Sequence, residues 1–154
     1  MLLRQISISA LFVICIASAD ALDASDTTRV FKLAVKFVQL KGDITISRSQ
    51  GGQGFECLTQ LYYNLAIMSE QIGKLRLMAT IARSMKDKSD EQRVVDMLNE
   101  EAADVLTALD DERRAINLTA GYCSWNNVAV AKAQEILSLY SEATSVIRST
   151  MKAR

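Results

Sequence analysis

The sequence predicts an all-α protein, an antiparallel up-down bundle of about four helices. Three observations carry that expectation. The 154 residues include no proline, so nothing forces a break in a long helix. Apolar residues recur at alternating steps of three and four over long runs, which is the spacing of a helical seam. Strand-like period-two alternation is clear only over Asp43-Ile44-Thr45-Ile46-Ser47.

The chain opens with MLLRQISISALFVICIASADA. Arg4 precedes a run from Ile6 to Ala17 that is apolar apart from Ser7 and Ser9, and Ala17-Ser18-Ala19 follows the small-x-small rule. These are the parts of a secretory signal peptide. The run is about a dozen residues, shorter than the roughly 20 that a spanning helix needs. Cleavage is expected after Ala19, with Ala21 the second choice. Cys15 follows Ile14, not the small residue of a lipoprotein signal. Residues 1–19 are thus read as a leader and 20–154 as one helical-bundle domain, long enough for a substantial core.

The first helix is expected over 27–41. Lys32, Lys36 and Gln39 form one narrow polar stripe on an otherwise apolar segment, which suggests burial on most of its circumference. Gly42 is the expected stop. Residues 42–54, GDITISRSQGGQG, then read as a long crossover loop after a short first helix. The glycines suggest a phosphate loop only superficially, because no Gly-Lys-Ser/Thr follows.

The second helix is expected over 55–85, with a seam of Leu58, Leu61, Leu65, Met68, Ile72, Leu75, Ala79 and Ala82. Ser89 with Gln92 reads as a capping box that starts the third helix. Its seam runs Val95, Leu98, Ala102, Val105, Leu109, Glu112, Ile116 and Thr119, and it should end near Gly121. Asn126 or Asn127 can cap the fourth helix, whose seam is Ala129, Ala133, Ile136, Tyr140, Ala143, Ile147 and Thr150.

The short turn at 86–89 makes the two long central helices an antiparallel hairpin. Their seams then pair in step: Leu65 with Glu112, Met68 with Leu109, Ile72 with Val105, Leu75 with Ala102, Ala79 with Leu98, Ala82 with Val95. Followed outward, the same register brings Cys57 toward Cys123. In an exported chain that even pair reads as a disulfide. It would close a loop of about 66 residues, for which chain entropy gives about 4 kcal/mol as an upper figure.

Several chemistries are excluded. The chain has no histidine, which removes Ser-His-Asp and Cys-His sites and the His-containing metal motifs. Arg4 is the only charge in the first 19 residues, so its loss turns 18 basic against 18 acidic residues into a net charge of −1. That balance gives no footprint for nucleic acid, and no polybasic stretch points to a stable membrane anchor. Carboxylates crowd the third helix, but neither a di-iron pattern nor a calcium loop is present. They read as solvated partners of the second helix's cations, with Arg76 near Glu101 and Asp104, and Arg83 near Asp96. The dispersed methionines read as flexible core filling. No metal and no cofactor is expected.

Two features remain. Glu112 interrupts an apolar seam and reads as a buried polar residue fixing register. Tyr62, Tyr63, Tyr122 and Trp125 should gather near the disulfide, where aromatics with polar tips suit a partner-binding surface. Asn117-Leu118-Thr119 is a glycosylation sequon. The leading expectation is a secreted or periplasmic, non-enzymatic interaction protein, an inhibitor, chaperone-like or accessory factor with a protein partner. The alternative is a carrier holding a hydrophobic ligand between helices. Long seams also permit a homodimer.

Denaturing mass spectrometry of the protein exported by its own host tests the leader and the disulfide together. The expected mass is that of a chain starting at Asp20, lighter by the two hydrogens lost on disulfide formation. A retained N-terminal segment, or two free thiols, contradicts the reading.

Overall fold

The computed structural model describes residues 22, 24–50, 52 and 54–151. The expected leader, residues 1–19, lies outside them. Four helices follow one another: α1 Ala24–Ser49, α2 Phe55–Ser84, α3 Lys88–Tyr122 and α4 Asn127–Thr150. α2 packs against α1 and α3, and α4 closes the ring against both; α2 and α4 also meet across the diagonal. Short turns make each successive helix antiparallel to the last. The bundle therefore has one end formed by the α1–α2 and α3–α4 turns, and another formed by the α2–α3 turn.

The core is built mainly on the expected seams, with Leu139, Val146 and Met151 added and with Glu112 and Thr119 of the α3 seam only partly buried. Leu61, Leu65, Met68, Ile72 and Leu75 of α2 are fully buried, as are Leu98, Val105 and Leu109 of α3. Each such side chain contributes about 2 kcal/mol by leaving water. All seven expected seam residues of α4 are buried. Three of them, Ala129, Ala133 and Ala143, are small, which lets α4 approach α2 across the ring.

The first helix departs from expectation. α1 is neither short nor followed by a long crossover. It runs to Ser49, and the connection shrinks to residues 50–54. Its seam of Val30, Leu33, Phe37 and Leu40 continues to Ile44, which is fully buried. A mid-helix glycine costs about 1 kcal/mol relative to alanine. Burying Ile44 returns about 2 kcal/mol, so the helix passes through Gly42. The Thr45 and Ser47 hydroxyls donate to the carbonyls of Lys41 and Asp43, at 2.9 and 3.0 Å, which is how such residues settle inside a helix. The period-two alternation over 43–47 is thus helical, with Ile44 inside and Ile46 outside. Nor is α1 buried on most of its circumference, because Phe31 and Val38 face outward.

The caps are local. Asp87, not Ser89, caps α3: its side chain accepts from the backbone of Ser89 at 2.7 Å and of Asp90 at 3.3 Å. Gln92 donates instead to Asp96. Asn126 caps α4 by accepting from the Ala129 N–H at 2.9 Å. Among the described residues no helix is long and apolar enough to cross a membrane.

The α1–α2 and α3–α4 turns meet where Gly54 faces Asn126. The φ of Gly54 is +109°, a region that side chains disfavour, and a Cβ there would lie 1.9 Å from Asn126 Nδ2. Gly52 has φ +98° but open space around it. Gly54→Ala is therefore expected to destabilise by about 2 kcal/mol or more, combining backbone strain with a clash. Gly52→Ala should cost only the backbone share, about 1 kcal/mol. Urea unfolding of the two variants checks this; equal losses would contradict the Gly54–Asn126 clamp.

Candidate functional site

The Cys57–Cys123 disulfide joins the start of α2 to the end of α3, with 6.0 Å between the Cα atoms. Both residues are buried. The antiparallel packing of α2 on α3 brings the start of one helix to the end of the other, and the two cysteines with them. Around the bridge is a surface cleft of about 370 Å³, lined by Glu56, Cys57, Gln60, Leu118, Thr119, Tyr122 and Cys123. Its rim is apolar and open: Leu118 is 75% exposed and Tyr122 78%. Trp125 and Val128, in and just after the adjoining turn, are exposed as well.

The four aromatics singled out in the sequence all lie at this end, but the structure splits them. Tyr122 and Trp125 belong to the α3–α4 side, next to the cleft. Tyr62 and Tyr63 belong to α2. Their rings meet edge to face at 5.8 Å. Arg48, from the last turn of α1, lies over Tyr62 at 4.7 Å and over Phe55 at 5.8 Å. Such contacts are worth about 0.5–1 kcal/mol at exposed sites. Tyr62 is thus committed to joining α1 and α2, while Tyr63 stays exposed on the outer face of α2. Phe55, Arg48 and Leu118 escaped the sequence reading. The hydrophobic Leu118 lies inside the sequon, next to the exposed Asn117, and neither position belongs to the α3 seam. That off-seam placement was the available signal.

One turn deeper is a polar layer. Tyr140 is fully buried, and its hydroxyl donates to the Asn64 carbonyl at 3.1 Å. Its ring stacks on Phe37 at 5.9 Å. Asn64, buried too, accepts from the Gln60 side chain at 2.9 Å. Burial pushes the Tyr140 phenol well above its ordinary pKa, and the charge of Glu112 pushes it further. Glu112 itself is half-buried, but its Oε2 is sealed from solvent with no hydrogen-bond partner among the described residues. Desolvation, then the neighbouring Asp111 charge, raises its pKa. Arg113 does not neutralise it. That guanidinium turns to Asp110 at 3.7 Å and donates to Ser141 at 3.0 Å. We read the layer as a device that orders helices.

The surface charges pair differently from expectation. Glu101 is met by Lys74, not Arg76, at 2.5 Å. Arg76 turns to the other side of α2, over the Phe31 ring at 5.5 Å. Lys36 and Glu142 span the groove between α1 and α4 at 2.6 Å. Among the described residues no group of three or more His, Cys, Asp or Glu side chains is placed to hold a metal.

Glu112 makes stability depend on pH. A carboxyl whose pKa is raised on folding favours the folded state while protonated, so its contribution is lost as pH rises through the folded value. Glu112→Gln is expected to flatten thermal stability across the upper carboxylate range and to raise it at neutral pH. Melting curves from acid to neutral pH check this. A variant less stable at neutral pH than the parent would mean that the carboxylate has a partner.

Comparison of the chain with protein-family models, with curated proteins and with solved structures gave no match.

Proposed function

We propose that this is an exported, non-enzymatic binding protein that captures a protein partner through its disulfide end. The observation that carries this reading is a cleft at the disulfide lined by exposed Leu118 and Tyr122, with exposed Trp125 in the turn that follows. Large apolar side chains that face water on a rigid support are the usual anchors of recognition. The disulfide holds that support in place and suits an oxidising compartment. The leader-like first 19 residues agree with export to the periplasm or the exterior. The absence of histidine from the whole chain removes the commonest proton-transfer group.

The carrier reading draws on the same cleft, which is large enough for a small apolar group, and the experiment separates the two. Tyr122→Ala and Trp125→Ala should leave thermal stability nearly unchanged, because both side chains are exposed. Capture of the partner from the host's exported fraction should fall about tenfold or more. Undiminished capture by both variants overturns the proposal. A small molecule that stays bound in native mass spectra and leaves on denaturation would favour the carrier instead.

A further inference from the structure

The outer face of α2 carries a second seam. Tyr63, Ile67, Glu70, Lys74, Leu77 and Ile81 follow a 4-3-4-3-4 spacing on the side away from the core. The apolar four are exposed by 57, 50, 57 and 37%. None belongs to the internal seam of Leu58 through Ala82, so burial within the bundle does not explain them. The helix is apolar on two opposite faces, whereas a surface helix ordinarily has one. Phe31 and Val38 of α1 are exposed as well, Phe31 beneath the Arg76 guanidinium of α2.

The order of residues along this seam names its occupant. It reads the same from both ends about Ile72: an apolar pair, a charged pair, an apolar pair. Tyr63 and Ile81 are equally far from that centre, as are Ile67 and Leu77, and Glu70 and Lys74. A copy of α2 laid antiparallel across a two-fold axis at Ile72 therefore sets Tyr63 on Ile81, Ile67 on Leu77 and Glu70 on Lys74. Each contact occurs twice, as an isologous interface requires. The central layers put opposite charges together in both halves. A parallel copy in register would instead set Glu70 on Glu70 and Lys74 on Lys74. Lys74 already leans toward Glu101 on α3, whereas Glu70 has no ion pair among the described residues. The seam spans about 27 Å at 1.5 Å per residue, long enough for a helix pair.

We propose that the protein is a two-fold dimer through this face of α2, with the second copy antiparallel. The arrangement sends the two disulfide ends in opposite directions and leaves both free. It rests on a different surface from the partner-binding site, so either can fail alone.

Sedimentation velocity across about 1–100 µM protein tests it. The expected result is a reversible dimer. Glu70→Lys and Lys74→Glu should each weaken it about tenfold or more, by setting like charges together. An equimolar mixture of these two variants should dimerise again, because each copy then presents one sign and meets the other. Ile67→Asp should give a monomer with an unchanged circular dichroism spectrum. A monomer throughout the range overturns the proposal. So does a dimer that ignores these charges, or a mixture that stays monomeric.

Discussion

The antiparallel register of α2 against α3 is the constraint on which the rest depends. It is set by burial: Leu65, Met68, Ile72 and Leu75 of α2 share one buried cluster with Ala102, Val105 and Leu109 of α3. A slip of one residue would rotate each seam by about 100° and expose it. The register places Cys57 beside Cys123, builds the cleft between them and brings Glu112 to the layer that holds Tyr140. The disulfide then secures an arrangement that packing has already chosen. The α1–α2 turn is drawn into the same end by Gly54, where only a missing side chain lets Asn126 approach.

α2 is the organising helix. Its inner face is the centre of the core, one flank holds α1 through Arg76, Tyr62 and the seam of Val30 to Ile44, and the other holds α3 through Lys74. Its outer face carries apolar residues that the bundle does not use. The polar layer of Asn64, Tyr140 and Glu112 interrupts the apolar interior near the disulfide end. Polar groups in such positions cost stability, and in several helical systems they fix which arrangement forms. Here the Tyr140 hydroxyl ties α4 to the α2 backbone, so the fourth helix has a defined height along the bundle.

Much of this was legible in the sequence, for a physical reason. Seams repeat with the helical period, and without proline nothing disturbs them, so the core of α2, α3 and α4 and the cysteine pairing could be read directly. What escaped depends on distant contacts or on rotation about a helix axis. Gly42 and the alternation over 43–47 both argue locally for ending α1. Only the burial of Ile44 against other helices outweighs them. Asp87 and Ser89 are both good caps, and their geometry alone selects the first. Lys74 and Arg76 can each reach an acid on α3, but they lie on opposite flanks of α2. The same rotation divides Tyr62 from Tyr122 and Trp125, although all sit at one end. The approach of Gly54 to Asn126 joins two turns far apart in the chain, and no local pattern announces it.

The central claim is that helix packing, not the disulfide, determines the register. Native-state hydrogen exchange on the Cys57→Ser, Cys123→Ser double variant tests it most directly. The account predicts a helical protein in which amides of 61–79 and 98–109 remain the slowest to exchange. Their opening free energy should fall by up to about 4 kcal/mol, the entropy of the lost cross-link. Collapse of protection throughout α2 and α3, or slow amides that shift to a different stretch of either helix, would show instead that the disulfide makes the register.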